Sequence, residues 1–209
     1  MSVRKLKRTF KSLATAAIIG AAPIVLSACQ SVESGAMITD ASFWQDMQTK
    51  LKNIKDISLS GRVKFSSPAQ KFSATFQYSG QDSSNYTLRL SSTLGNELAL
   101  LKVTPSSAML TAAGRTISSP DAETLFATAT ELNLPLKEFH SLLIGIAPNE
   151  YSQFTPEGIL MQSQVPGFII NYRNYMTVEK VALPSEIEVI GNNLHMMITP
   201  RNVQKIEYR

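Results

Sequence analysis

The sequence predicts a mainly β (α+β) protein: one strongly curved antiparallel sheet of about ten strands, closing part of a barrel, with three helices over its concave side. Three observations predict this fold. Apolar and polar residues alternate with a period of two along much of the chain, short turns separate these stretches, and helical punctuation interrupts them at residues 119–145. Connections this short join antiparallel neighbours, because a parallel crossover needs roughly a dozen residues or more.

The first thirty residues predict export and lipidation. Five basic residues precede an uncharged apolar stretch, Leu13 to Leu26, in the order of a secretory signal peptide. Its 14 residues are fewer than the ~20 that span a bilayer as a helix. The stretch ends in Leu26-Ser27-Ala28-Cys29, which resembles the lipobox of bacterial lipoproteins, and Cys29 is the only cysteine. A secreted chain with one thiol has no internal disulfide, so we expect cleavage before Cys29 and acylation of it.

We therefore expect three segments: a signal peptide at 1–28, a lipidated tether at 29–39 and a single domain at 40–209. No cofactor is expected beyond the covalent N-acyl and S-diacylglycerol groups on Cys29, and several acyl chains make an anchor stable. Gln30 stands where inner-membrane lipoproteins often carry Asp, so the same resemblance implies an outer-membrane anchor facing the periplasm. Loss of the five basic residues changes the formal charge from +4 to −1, which removes the argument for nucleic-acid binding.

The domain is predicted to begin with a helix capped by Asp40 or Ser42 and then to continue as strands. Apolar residues on one face of that helix are Phe43, Met47, Leu51 and Ile54. The strands that follow are Ile57–Phe65, Phe72–Tyr78, Tyr86–Leu90, Leu98–Val103, Ala108–Ala112 and Arg115–Ser118, with turns that include residues 80–84.

Residues 119–145 are predicted to form two helices. Ser119 caps the first and Pro120 takes its first helical position. The second runs from about Leu136 to Ile144 and ends at Gly145. The remaining strands are Gln153–Thr155, Ile159–Gln164, Phe168–Tyr172, Val178–Leu183, Glu186–Ile190, Leu194–Ile198 and Val203–Tyr208.

The pattern leaves the state of the interior open. Each strand offers one apolar face to the concave side, but the helices are short, so a lipid-sized cavity is one outcome. The other is an interior filled by large side chains, as in small barrels that are packed solid.

Chemistry-bearing motifs are absent from the sequence. His140 and His195 are far apart without metal-ligand spacing, and no nucleophile elbow, phosphate loop or dinucleotide fingerprint occurs. We therefore expect a binding protein and not an enzyme.

A leucine stands alone in the middle of the connection formed by residues 91–96. Leu94 either folds back into the core or remains exposed at the tip. An exposed leucine there would act as a small membrane probe, worth about 1.5–3 kcal/mol on insertion.

Several short pieces along nearly the whole chain together resemble the LolB family, outer-membrane receptors that accept lipoproteins from a periplasmic carrier. The pieces are the lipobox cysteine, Phe43-Trp44, Gly61-Arg62, Tyr86–Leu90, Leu94-Gly95, Leu134-Pro135, Leu143-Ile144-Gly145, Tyr172 with Tyr175, and Leu183-Pro184. The resemblance implies an incomplete antiparallel barrel of ten to eleven strands, with a helical lid and a hydrophobic interior that receives acyl chains.

Further expectations follow from this resemblance. Leu94 and Gly95 would form a protruding loop that helps membrane insertion. Residues 120–145 are our candidate for the lid, because they lie between two blocks of strands and carry modest apolar stripes. The side chains expected to line the interior are Phe65, Phe76, Leu88, Leu90, Leu125, Phe139, Ile170 and Tyr172. The expected partners are a periplasmic LolA-like carrier, the acyl chains of lipoprotein cargo and the inner leaflet of the outer membrane, with the chain itself a monomer. The rival hypothesis is a structural or interaction lipoprotein with a filled β core.

Overall fold

The computed structural model describes residues 41–68, 71–148, 151–155 and 159–209, which belong to one compact unit, Met37–Arg209. Cys29 and the segments predicted at 1–28 and 29–39 lie outside the described residues. In the described ranges, no helix is both long and apolar enough to cross a bilayer.

Eleven strands and three helices make up the described chain. The strands before the central helices are β1 (Ile54–Ser66), β2 (Lys71–Asp82), β3 (Asn85–Ser91), β4 (Glu97–Thr104), β5 (Ser107–Ala112) and β6 (Arg115–Ser119). Those after them are β7 (Gln153–Phe154), β8 (Leu160–Val165), β9 (Phe168–Val178), β10 (Val181–Gly191) and β11 (Leu194–Tyr208). The helices are α1 (Ala41–Lys52), α2 (Ala122–Thr130) and α3 (Phe139–Ile144), the last two lying between β6 and β7.

All strands belong to one open antiparallel sheet in the order β6-β5-β4-β3-β2-β1-β11-β10-β9-β8-β7. Each half is a meander of consecutive hairpins, and the pairing of β1 with β11 joins the two halves. This is the predicted incomplete barrel with helices. Because β6 and β7 are the two edges, the segment between them must cross the sheet, and it carries α2 and α3.

One face of the sheet forms the core. Along β3, for example, Tyr86, Leu88 and Leu90 are buried while their neighbours are not, as a period of two requires. Equivalent residues of the other strands join those of α2, α3 and α1 in a single hydrophobic cluster. All of its members lie between residues 47 and 206, so the compact unit contains its own core.

The strands are longer than predicted in the second half of the chain. Two strands were predicted at Val178–Leu183 and Glu186–Ile190, but the structure has one strand there, β10, which begins at Val181. Val178 is the last residue of β9. Leu194–Ile198 and Val203–Tyr208 are likewise one strand, β11. Both interruptions contain proline, and in both strands the pairing continues through a shift of register, because a bulge tolerates the missing N–H. Similarly, β2 extends to Asp82, into the turn predicted at residues 80–84.

The helix boundaries also differ from the prediction. Ile54 begins β1, where it pairs with Tyr208, and does not continue the apolar face of α1. Asp121, not Ser119, caps α2, by accepting a hydrogen bond from the backbone N–H of Thr124. The second helix begins at Phe139, not Leu136, because the preceding residues form turns. Gly145 ends it in the left-handed conformation, as predicted.

Candidate functional site

The inner face of the sheet encloses a wholly apolar cavity of about 10 Å³. That volume is roughly what one water molecule needs. Its walls come from both halves of the sheet, from α3 and from the segment between α2 and α3. The lining residues are Val63, Phe65, Phe76, Leu88, Leu90, Leu134, Phe139, Met196 and Ile198. With the helices in this position the described interior is close-packed.

Five of the eight side chains predicted to line the interior meet at this cavity: Phe65, Phe76, Leu88, Leu90 and Phe139. The other three are buried elsewhere, Leu125 on α2 and Ile170 and Tyr172 on β9. Burial raises the pKa of Tyr172 to about 12. That acyl chains occupy the space between these residues stays a prediction.

Four residues of the cavity were not among the predicted lining residues. Val63, Met196 and Ile198 share the alternation of predicted strands, so the period of two contained the signal for them. Leu134 follows α2 in an irregular segment, where no pattern marks it.

A larger apolar groove of about 320 Å³ lies beside the end of α2. It is lined by Phe72, Leu90, Leu98, Ala99, Ala112, Phe126, Thr130 and Leu132. Leu90 lines both this groove and the interior cavity. Leu132 lines the groove, and Leu134 lines the cavity. The short segment that carries these two leucines therefore borders both spaces.

The connection between β3 and β4 is a compact turn with Leu94 at its tip. The backbone N–H of Gly95 donates to the carbonyl of Ser92 at 2.9 Å, and the Ser92 hydroxyl accepts from Asn96 at 3.1 Å. Gly95 has φ of +88°, which favours glycine. The turn leaves Leu94 87% exposed, so the side chain does not fold back into the core. Its role in membrane insertion stays a prediction.

A buried hydrogen bond joins α3 to the sheet. The Tyr78 hydroxyl on β2 and Nδ1 of His140 lie 2.7 Å apart, and both side chains are buried. Desolvation lowers the pKa of His140, and desolvation likewise raises the pKa of Tyr78. The ring is therefore kept neutral, and Nδ1 shares a hydrogen bond with the hydroxyl of Tyr78.

Gln48 fastens the other end of α3 to α1. Its Nε2 donates to the carbonyl of Gly145 at 2.8 Å, and its Oε1 accepts from the N–H of Ala147 at 2.9 Å. These two bonds satisfy backbone groups just beyond the helix and attach the end of α3 to α1.

The two histidines lie in different environments. His140 faces the core, whereas His195 lies on the outer face, where its Nε2 is 2.8 Å from Oε1 of Glu188. Glu188 also accepts hydrogen bonds from Arg173 and Asn171. Its hydrogen bonds with His195, Arg173 and Asn171 lower its pKa to about 2. Across the described ranges, no three or more His, Cys, Asp or Glu residues are grouped to hold a metal ion.

The chain is similar to several known proteins. It is 26% identical over 178 residues to the outer-membrane lipoprotein LolB of Klebsiella pneumoniae strain 342, covering 80% of this chain and 87% of that one. It is also 26% identical over 192 residues to the LolB of Vibrio campbellii, covering 86% and 93% of the two chains. A solved structure of a DUF1329 family protein from Desulfovibrio piger superposes with a TM-score of 0.51 at 6% identity, covering 79% and 92%, which is a likeness of fold alone.

The family model described as outer membrane lipoprotein LolB matches residues 55–201, which span the sheet from β1 to β11 and include the interior cavity, the groove and the Leu94 turn. The chain therefore belongs to the LolB family of outer-membrane lipoproteins.

Proposed function

We propose that this protein receives acylated lipoproteins from a periplasmic carrier into its apolar interior and inserts them into the outer membrane. It would itself be anchored there through acyl groups on Cys29, facing the periplasm. The single observation that carries the proposal is the groove beside α2, which shares Leu90 with the interior cavity.

The cargo sets the physical requirement. A lipoprotein with three acyl chains exposes on the order of 35 kcal/mol of unfavourable hydration if it is released into water. A carrier and a receptor must therefore pass the chains between apolar surfaces. No nucleotide-binding motif occurs in the sequence, so transfer would run towards higher affinity.

The groove supports an entry route. Its volume of about 320 Å³ is at the lower end of the ~300–1,000 Å³ typical of small-molecule pockets. Because Leu132 lines the groove and Leu134 lines the interior cavity, displacement of α2 and the segment that carries these leucines would bring the two spaces together. The lid proposed at residues 120–145 would then open through α2, while α3 stays in place.

The Leu94 turn supports the delivery step. Leu90 and Leu98, which line the groove, lie on the strands that the turn connects. A leucine that enters the bilayer at this turn would bring the mouth of the groove to the membrane surface.

Substitution of Leu94 tests the proposal. Leu94→Glu is expected to leave acceptance of lipoprotein from the carrier intact and to reduce delivery into liposomes at least tenfold, because a carboxylate opposes insertion. Met109→Glu, at an exposed site on β5, is the matched control and should deliver normally.

Full delivery by the Leu94→Glu protein would show that the turn only connects two strands. A loss of both acceptance and delivery would instead indicate a folding defect, which circular dichroism and thermal unfolding would reveal.

A cross-link across the groove tests the moving part. Ala112 on β5 and Thr130 on α2 both line the groove, and cysteines at these positions would be joined with bis-maleimides of increasing length. We expect the cross-linked protein to lose acceptance of cargo, while each single-cysteine variant treated in the same way retains it. Acceptance at an undiminished rate after cross-linking would refute opening through α2.

A structural or interaction lipoprotein with a filled core is the second candidate, and the cavity of only about 10 Å³ favours it. A fluorescent fatty-acid probe separates the two candidates. Saturable binding that the Ala112–Thr130 cross-link abolishes supports the receptor, whereas no saturable binding supports the filled core.

A further inference from the structure

A second concave surface lies on the outer face of the sheet, at the end that carries Leu94. This outer groove has a volume of about 500 Å³. Its lining combines cations, hydroxyls and apolar groups: Lys64, Phe65, Ser66, Lys71, Phe72, Ser73, His195 and Met197.

Strand register arranges six of these residues as two rows across β2, β1 and β11. Lys64 lies between Ser73 and Met197, and Ser66 lies between Lys71 and His195. Side chains directly opposite each other in a sheet have Cβ atoms about 4.5–5.5 Å apart. Two lysines and two serine hydroxyls therefore converge on one small area.

The charges in this area are not balanced by the described part of the chain. Lys64 and Lys71 are exposed, and neither forms an ion pair with a described residue. The carboxylate near His195 is Glu188, which is already bound to Arg173 and Asn171. Glu97, at the start of β4, is paired with Arg89 at 2.9 Å.

The outer groove is level with the tip of the Leu94 turn. Thr75 of β2 pairs with Ser91 of β3, so Leu94, three residues further, stands at about the height of Phe72 one strand away. A molecule that brings the Leu94 turn to a bilayer therefore brings the outer groove to the same membrane surface.

We propose that the groove lined by Lys64, Lys71, Ser66 and Ser73 binds the phosphate of an anionic membrane phospholipid when Leu94 enters the bilayer. This inference rests on the proposed function only in taking the Leu94 end as the side that meets the membrane. The lysines supply positive charge, the hydroxyls donate hydrogen bonds to phosphate oxygens, and Met197 offers an apolar contact beside Lys64. The groove would orient the molecule, and Leu94 would supply the apolar contact.

Vesicle binding by the compact unit 37–209 tests this proposal, since that unit contains the whole described core and lacks the anchor. Binding is measured by co-sedimentation with vesicles of phosphatidylcholine alone and with vesicles that also contain phosphatidylglycerol. The double variant Lys64→Gln and Lys71→Gln is compared with Lys102→Gln and Lys180→Gln, which removes the same charge from exposed sites away from the groove.

The Lys64 and Lys71 double variant is expected to bind phosphatidylglycerol vesicles roughly tenfold or more weakly, because each lysine near an anionic surface contributes on the order of a factor of five. The control pair should change binding less than twofold, and binding to phosphatidylcholine alone should not change in either variant. Equal losses in the two double variants, or no loss in either, would overturn the proposal.

Two further measurements distinguish a failure of membrane insertion by Leu94 from a failure of lipid binding by the outer groove. Leu94→Glu should weaken binding to both kinds of vesicle, and no effect on either would refute insertion by Leu94 without altering the result for the lysines. Titration with inorganic phosphate alone, followed by NMR shifts of Ser66 and Ser73, should not saturate. Saturation at low phosphate concentration would identify a site for free phosphate and overturn the assignment to lipid.

Discussion

The two helices that cross the inner face of the sheet are held very differently. Five of the six residues of α3 are buried, and Tyr78 and Gln48 bind its start and its end. In α2 only Leu125 and Phe126 of nine residues are buried, and its end borders the apolar groove. Because local stability follows buried contacts, the difference indicates a fixed helix and a looser one within the same connection.

Truncation of one leucine in each helix should show the largest contrast. Leu143→Ala in α3 is expected to lower the free energy of unfolding by about 2–5 kcal/mol, because Leu143 is fully enclosed. Leu125→Ala in α2 should lower it less, since the less tightly packed helix relaxes around the gap. Urea unfolding of both variants measures this, and equal losses would contradict the comparison.

Removal of the Tyr78 hydroxyl should weaken the attachment of α3. Tyr78→Phe leaves Nδ1 of His140 buried without its partner, which is expected to cost about 1–3 kcal/mol. Amide hydrogen exchange should become faster in α3 and remain unchanged in α2. Tyr86→Phe is a control, because its hydroxyl donates to the carbonyl of Leu136 before α3 begins.

The burial of His140 predicts that the stability of the folded protein depends on pH. Burial lowers the pKa of His140 below its ordinary value of 6.5, so the folded state favours the neutral ring. Asp82 and Asp56, the nearby carboxylates, oppose this shift, and Tyr86 and Phe139 are the neighbouring rings around Tyr78. The contribution of the neutral His140 ring to the free energy of unfolding is complete above pH 6.5 and is lost as the pH falls below that value. His140→Gln should remove that slope from the unfolding free energy, and an unchanged slope would contradict the assignment.

Loss of the cap of α2 should have a smaller and local effect. Asp121→Ala removes the acceptor for the N–H of Thr124, which is expected to cost about 1 kcal/mol. Hydrogen exchange should become faster in α2 alone, and binding of the fatty-acid probe should become faster if α2 opens the interior. Asp121→Asn retains the cap and is the matched control. Faster exchange in α3 as well would show that the two helices move together.

Glu188 on the outer face should affect neither helix. Its pKa of about 2 lies below the ordinary 4.5, so its contribution to stability is present above pH 4.5 and is lost as the pH falls from 4.5 towards 2. Glu188→Gln should remove the slope in that window while the exchange of α2 and α3 stays as in the parent protein. A change in the helices would mean that the two faces of the sheet are coupled.

Much of the sheet could be predicted because its signal is local. Residues such as Leu88 and Leu90 alternate with polar neighbours, and that alternation both identifies a strand and indicates which side chains face inwards. Pro184 and Pro200 lie in the interruptions that were predicted between strands, and a proline removes a ladder hydrogen bond. Shifts of register at these positions allow the strands to continue, and such shifts depend on partners that are distant in sequence.

The cavity was less predictable than the sheet. Phe65, Phe76, Leu88 and Leu90 meet there because the alternation points them inwards. Leu125 was predicted to join them, but α2 lies over β5 and β6 and holds it away from the cavity. The place of a helix on a sheet depends on packing across the chain, which a local pattern does not contain.

By itself the sequence determined the antiparallel strands, the two central helices, the end of α3 at Gly145 and the resemblance to the LolB family, because each of these depends on neighbouring residues or on their order. Only the tertiary structure decided that the interior is nearly filled, that Leu94 is exposed, that α3 is fixed while α2 borders a groove, and that Lys64 and Lys71 meet on the outer face. The physical reason is that volume, exposure and convergence of charge arise from contacts between distant segments, and long-range pairing in the sheet is what creates those contacts.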